Sequence, residues 1–307
     1  MSSTRSPAGF TAKDLPDLSG TRAVVTGANS GIGFHAARAL AEHGAEVVLA
    51  CRNTDSGREA AVKMPRVTTV EELDLASQKS VHAFVDRFEG PLDLLVNNAG
   101  VMTPPTYRET EDGHELQFGT NHLGHFALTG LLLPALLAAP KPRVVSVASI
   151  AHHRGDESVL EGNPASSYDP RHTYGNSKLA NLLFAHELHR RATEEGGRLT
   201  STACHPGVSA TNLVGSSDGM GSNVVVRRTA PFFMPLIFQS STAGANPTLY
   251  AATYGEPDSY TGPTWLMESR GRLGQAKQSR HAVNGDLARK LWVLSEEKTG
   301  VRFDFGA

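Results

Sequence analysis

Apolar positions in this chain follow two rhythms. Short, nearly continuous apolar runs alternate with longer stretches in which apolar residues return every third or fourth position. The first pattern fits strands buried on both faces, and the second fits helices with one face in a core. Ala23-Val24-Val25 is the first strand, and Phe34 to His43 the helix after it. Further strands are expected at Glu46 to Cys51, Val67 to Val70, Leu92 to Val96, Arg143 to Ser149 and Leu199 to Cys204. Helices are expected from near Ser77, over Glu115 to Leu137 with Pro134 bending its far end, over Ser177 to Ala192, and over Leu287 to Lys298. Strands alternating with helices predict an α/β fold, a doubly wound parallel sheet of the Rossmann type with right-handed crossovers. Residues 1–20 read as an N-terminal arm, with Phe10 and Leu15 available to pack on the domain. Residues 21–307 read as a single domain, because no repeat or low-complexity linker divides them.

Composition narrows the function classes. Hydrophobic residues make up 39% and charged residues 20% of the 307, enough for a packed core. The 29 basic and 31 acidic residues are interspersed, which gives no general attraction to nucleic acid. Cys51 and Cys204 lie in strand-like runs and read as buried thiols in a reducing compartment. The first twenty residues lack the apolar stretch of a signal peptide. The longest apolar runs, Leu131 to Ala139 and Ala230 to Phe238, both contain proline and are too short to span a bilayer. Those features predict a cytoplasmic protein. His122/His125 and His186/His189 have helical spacing, but no third ligand follows at a recognisable interval, so no metal is expected.

The chemistry-bearing residues sit at strand ends. The first strand runs into Thr26-Gly27-Ala28-Asn29-Ser30-Gly31-Ile32-Gly33, then a helix. A strand, a glycine-rich turn and a helix N-terminus in that order make an anion site suited to a dinucleotide pyrophosphate. The second strand ends at Arg52-Asn53 instead of at a carboxylate. A guanidinium there suits a ribose 2′-phosphate, which favours NADP (NADPH) over NAD. Asp74, beside Leu75, either accepts from an adenine amino group or caps the helix starting near Ser77. Asn97-Asn98-Ala99-Gly100 closes the fourth strand, and Ser149 ends the fifth. Tyr174 and Lys178 share one helix face at i, i+4. The lysine is expected to lower the phenol's pKa from its usual value of about 10.

These motifs, in this order, resemble the short-chain dehydrogenase/reductase family over Thr26 to about Thr211. The wording of Ala50-Cys51-Arg52, Thr120-Asn121-His122-Leu123-Gly124-His125-Phe126 and Ser177-Lys178-Leu179-Ala180-Asn181 is most similar to its retinol-dehydrogenase-like and protochlorophyllide-reductase-like branch. The resemblance implies Tyr174 as acid/base and Lys178 as its partner and a ribose contact. It also implies that Ser149 polarises the substrate oxygen and that Asn121 holds a water linked to Lys178. Gly27, Asn29, Ser30, Gly31, Ile32, Gly33, Arg52, Asn53, Asp74, Leu75, Asn98, Ala99 and Gly100 would hold the cofactor. Pro206, Gly207, Val208 and Thr211 would line the carboxamide side of its nicotinamide. Ser146 stands where relatives often carry asparagine, and residues 151–173 look inserted.

The stretch 208–240, with Phe232 and Phe233, reads as a lid over an apolar small-molecule substrate. The expected activity is interconversion of an alcohol and a carbonyl. An epimerase or double-bond reductase on the same scaffold remains open, as does a dinucleotide-binding sensor without turnover. A homodimer is one assembly open to the chain.

Overall fold

The computed structural model describes residues 6–65, 68–208 and 239–306. Among them, strands β1 (Arg22–Thr26), β2 (Glu46–Cys51), β3 (Thr68–Glu72), β4 (Leu94–Asn97), β5 (Arg143–Val147) and β6 (Thr200–Cys204) run parallel. Two further strands extend the sheet, β7 (Tyr260–Trp265) in parallel and β8 (Arg270–Gln275) antiparallel at the edge. The order is β3-β2-β1-β4-β5-β6-β7-β8. The chain therefore winds outward from β1 in one direction, returns, and winds outward from β4 in the other. The carboxyl ends of β1 and β4 flank the reversal, where open α/β sheets leave a crevice for a ligand.

The pleat distributes the strand side chains between two cores. Ala23 and Val25 face one with Val47 and Leu49, under α1 (Gly31–Glu42) and α8 (Ser241–Thr253). Val24, Val48 and Leu95 face the other, under α3 (Gln78–Asp86), α5 (Gly124–Leu131) and α6 (Leu133–Ala138). The long helix α7 (Pro170–Glu194) and the closing helix α9 (Gly285–Thr299) seal that second face. There Trp292 stacks on Phe184 at 5.8 Å and meets Phe126 edge-on at 5.0 Å. Each such pair adds about 1 kcal/mol beyond the area it buries. Phe10 and Leu15 of the N-terminal arm are buried, with Phe10 edge-on to Tyr250 at 5.4 Å. No described helix is long and apolar enough to cross a membrane.

Several elements differ from those the sequence pattern suggests. The helix expected over 115–137 is four consecutive elements. A short α4 (Leu116–Phe118) passes into a π-helical turn, Gly119–Leu123, where the Gly124 N–H bonds to the Gly119 carbonyl, and α5 and α6 follow. Pro134 does not bend a continuous helix. It sits in the first turn of α6, where its missing N–H costs nothing. Helix α7 begins at Pro170, ahead of the expected Ser177, because Asp169 caps it by accepting from the N–H groups of Arg171 and His172. The inserted stretch holds short 3₁₀ turns at Ile150–Arg154, Glu157–Glu161 and Ala165–Ser167. The apolar periodicity did not suggest α2 (Thr54–Ala61), α8, β7 or β8.

Candidate active site

At the β1/β4 crevice the glycine turn is built from its own backbone. Gly27 and Gly31 both have positive φ, +65° and +57°, where a side chain would be strained. A Cβ on Gly33 would lie 2.4 Å from Asn98 Nδ2 and 2.5 Å from the Gly27 carbonyl, so Gly33 closes the turn against the helix. Asn98 and Ala99 hold the turn from the side. Their N–H groups both donate to Thr26 Oγ1 at 2.9 Å, and Asn98 Nδ2 donates to the Thr26 carbonyl at 2.7 Å. Asn29 donates to Ser56 Oγ at 2.9 Å, tying the turn to α2. Ser30 caps α1 without a side-chain bond, leaving its hydroxyl and the first-turn N–H groups around Ile32 for a ligand.

The adenosine side is open. Arg52 is exposed and has no partner among the described residues. Asn53 caps α2 by accepting from Ser56 N at 3.0 Å. Asp74 accepts from Ala76 N at 2.9 Å, while Ser77 is the cap of α3. Asp74 thus shapes the approach to that helix without capping it. Leu75 is buried in the core beneath.

On the other side of the crevice, Ser149, Tyr174 and Lys178 come together. The Ser149 side chain lies beside the Tyr174 phenol, and Ser149 Oγ accepts from Ala151 N at 3.1 Å. Lys178 Nζ donates to the Val147 carbonyl at 3.0 Å and lies 5.9 Å from the centre of the Tyr174 ring. A Cβ on Gly100 would lie 3.0 Å from Asn121 Oδ1 and 3.5 Å from Lys178 Nζ, so the glycine keeps that approach clear.

The electrostatics of this centre differ from the sequence expectation. Burial pushes the Tyr174 phenol up to about 12, opposed only by the neighbouring Ser149 side chain, and Lys178 does not lower it. Burial in turn brings the Lys178 ammonium down to about 8. Desolvation outweighs pairing here because the lysine's proton is directed at a backbone carbonyl and not at the phenol.

Asn121 is fully buried and its amide is spent on structure. Oδ1 accepts from Val101 N at 2.7 Å, and Nδ2 donates to the Val101 carbonyl and to Ser177 Oγ, both at 2.9 Å. Its side chain anchors the chain beyond Gly100.

Beyond β6, Pro206, Gly207 and Val208 lean on distant partners. Val208 N donates to the Ser269 carbonyl at 2.9 Å, and Gln239 donates to the Pro206 carbonyl. Gly207 has φ +66°, and its N–H bonds to His205 Nδ1 at 3.2 Å. Thr211, Phe232 and Phe233 lie outside the described residues, as does most of the 208–240 stretch expected to form a lid.

Three supporting residues escaped the sequence reading. His152 Nδ1 donates to the Ser149 carbonyl at 2.7 Å, and its Nε2 accepts from Ser279 N at 3.2 Å. Its position three residues after Ser149 is the only signal the sequence carries. Cys51 lies under the glycine turn, its thiol bonded by the backbone of Ala28 and Asn29 and pushed up to about 11 by burial. His125 separates from its supposed pair His122, which turns the other way to Ser295 Oγ at 2.8 Å.

Comparison with known proteins places the chain in a family. Residues 21–220 match the family described as short chain dehydrogenase. The chain is 38% identical to mouse retinol dehydrogenase 13 over 301 residues, which cover 94% of this chain and 87% of that protein. It is 36% identical to the chloroplastic short-chain dehydrogenase TIC 32 B of Brassica napus, covering 93% and 91%. A crystal structure of a protein from Mycobacterium paratuberculosis superposes with a TM-score of 0.82 at 43% identity, covering 96% and 99%. The chain belongs to the short chain dehydrogenase family, whose members are oxidoreductases that use a nicotinamide dinucleotide.

Proposed function

We propose that this protein is an NADP(H)-dependent oxidoreductase that interconverts an alcohol and a carbonyl on a fairly apolar small molecule. The observation that carries the reading is the convergence of Ser149, Tyr174 and Lys178, with Lys178 Nζ 5.9 Å from the centre of the Tyr174 ring and beside Gly100. The residues present fit a dinucleotide. Two glycines at positive φ, an unengaged Ser30 hydroxyl at a helix N-terminus and an unpartnered Arg52 suit its pyrophosphate and a 2′-phosphate. Relatives named as retinol dehydrogenases support an apolar alcohol or its carbonyl as substrate.

When bound, the nicotinamide dinucleotide supplies or accepts the hydride. Tyr174, held protonated at neutral pH, is set to give its proton to a carbonyl oxygen as charge builds there. The Ser149 hydroxyl bonds that same oxygen, and the pair acts as a preorganised donor set. Lys178 is fixed through Val147, and Asn121 fixes the backbone on which Gly100 and Val101 approach it.

Tyr174→Phe tests the assignment. The variant should fold and bind NADPH as the wild type does, while turnover falls by about 10²–10⁴, the usual range for general acid–base catalysis. Turnover and NADPH titration on one preparation decide it. Near-wild-type turnover would place the proton donor elsewhere.

A further inference from the structure

His125 lies one helical turn beyond Asn121 and touches no position assigned above to substrate or cofactor. It is 2% exposed. Nδ1 lies 2.9 Å from the Asn121 carbonyl oxygen, and Nε2 lies 2.9 Å from Thr26 Oγ1. A carbonyl only accepts, so Nδ1 carries the proton. Burial, aided by the Lys178 charge, holds the imidazole down at about 4, so the ring is neutral and Nε2 is bare. Of the two acceptors in reach of the Thr26 hydroxyl, the Val96 carbonyl at 3.3 Å and the bare Nε2 at 2.9 Å, Nε2 is the nearer and takes the proton. This leaves the Thr26 oxygen's lone pairs for the N–H groups of Asn98 and Ala99.

Every link thus has one polarity. Asn98 and Ala99 donate to Thr26, Thr26 to His125, and His125 to the Asn121 carbonyl. One end of this chain is the glycine turn. The other is the π-helical turn, whose Asn121 side chain holds Val101 and Ser177, the residue before Lys178. A second tie runs in parallel, from Asn97 Nδ2 to Thr129 Oγ1 at 3.0 Å and on to the His125 carbonyl at 2.7 Å. Leucine or phenylalanine would fill the same volume and break the chain at two bonds. Lysine or arginine would bring a second donor to a place that needs an acceptor.

We infer that His125 is a positioning residue that couples the dinucleotide-binding turn to the Asn121–Lys178 side of the active site. The inference rests on the function proposed above, which assigns those two regions to cofactor and chemistry. Loss of the ring should loosen both regions at once, although the ring contacts neither ligand.

Two measurements test this on the full chain. The first is nuclear magnetic resonance of histidine labelled with ¹⁵N in the wild type. His125 should show the neutral Nδ1–H tautomer unchanged down to about pH 5, with Nε2 shifting when NADPH is added. An Nε2–H tautomer, titration near 6.5, or no movement with NADPH would overturn the coupling. The second compares His125→Phe with His125→Gln, which keeps one donor and one acceptor. His125→Phe should weaken NADPH binding about tenfold and lower kcat about tenfold at unchanged KM for the carbonyl substrate, as for the loss of one buried hydrogen bond at each end. His125→Gln should recover most of both. A folded His125→Phe with normal NADPH affinity and kcat but a lower Tm would reduce the residue to packing and overturn the inference. If His125→Phe does not fold, the Nε2 shift with NADPH decides. Wild type that binds neither NADPH nor NADH would overturn both readings. Wild type that binds NADPH while His125 variants stay indifferent would overturn this one alone.

Discussion

The crevice between β1 and β4 and the rim beyond β6 are held by different means. At the crevice, the turn closes on itself and on the strand beside it. Gly27, Gly33, Thr26, Asn98 and Ala99 are joined by bonds between two strand ends that lie in register. At the rim, Pro206 to Val208 depend on Ser269, Gln239 and a ring, His205, packed against Gly262. The turn that supplies Ser269 contains three successive non-glycine residues at positive φ, namely Leu266, Met267 and Glu268. Each costs about 1 kcal/mol or more and persists only because its surroundings over-determine it. The cofactor end is thus a local structure that a short motif specifies, and the rim is a tertiary structure that stores strain. One consequence is that the two ends should fail separately.

A matched pair of glycine variants gives the largest effect. In Gly33→Ala the new methyl would meet Asn98 Nδ2 at 2.4 Å and the Gly27 carbonyl at 2.5 Å. The turn must open, and NADPH affinity should drop by at least about tenfold, the equivalent of a modest overpacking strain. In Gly262→Ala the methyl would lie 1.9 Å from His205 Nε2, inside a ring that is fully buried. That ring cannot move aside easily, and its displacement takes the acceptor from Gly207 N–H. Expected here are a lower Tm and lower turnover, with NADPH affinity reduced far less than in Gly33→Ala. Thermal melting and calorimetric titration of both variants make the comparison. Equal loss of NADPH affinity would break the division between the two ends.

That division also explains what could be read from the sequence. The six parallel strands, the glycine turn and the Tyr174–Lys178 pair were legible because each depends on a run of apolar residues or a fixed spacing. The Asp169-Pro170 start of α7 was legible in principle, as a cap followed by proline, but polar Arg171, His172 and Thr173 masked it. Strands β7 and β8 were not legible, since Gly262, Pro263, Gly271 and Gly274 carry no strand signal and pair only through distant partners. Asn121 was legible, but its structural bonds were not. Nothing in the spacing says that its amide would be spent on Val101 and Ser177. The pKa order was misjudged for a similar reason. Proximity along a helix face predicts pairing, whereas the depth of burial decides which group shifts and in which direction.

Lys178 sharpens that last point, since it sits between the two ends. Its ammonium is brought down to about 8 by burial, from an unfolded value near 10.5. Between those values the unfolded chain binds more protons than the folded one, so the lysine's contribution to stability rises with pH. It is fully present above about pH 10.5 and is lost as pH falls through about 8. Lys178→Met should therefore be more stable than wild type at pH 7, by up to about 3 kcal/mol. The difference should shrink towards zero by pH 10. Tyr174 does not confuse this window, because its raised pKa withdraws stability only above pH 10. Denaturant titrations of both proteins at pH 7, 8.5 and 10 read it directly. A gap that is constant with pH would mean that Lys178 is charged and paired in the folded state.

Arg52 is the mildest test of the comparison, because it belongs to the local end but lies in solvent. It stands at the carboxyl end of β2, next to Asn53, the cap of α2, and no described residue competes for its guanidinium. A ribose 2′-phosphate would meet it as a charge-assisted pair, worth less at the surface than a buried one and weakened by salt. Wild type should bind NADPH more tightly than NADH, and the preference should narrow as ionic strength rises. Arg52→Asp should weaken NADPH by about tenfold to a hundredfold and leave NADH equal or tighter, as a carboxylate accepts from the ribose hydroxyls it replaces the phosphate for. The rim should not register the change. With either cofactor saturating, KM for the carbonyl substrate should match wild type, and so should the Tm. Equal affinity of the wild type for both cofactors would remove Arg52 from the site. A shift in substrate KM with cofactor saturated would show instead that a change at the adenosine end reaches the rim through the fold.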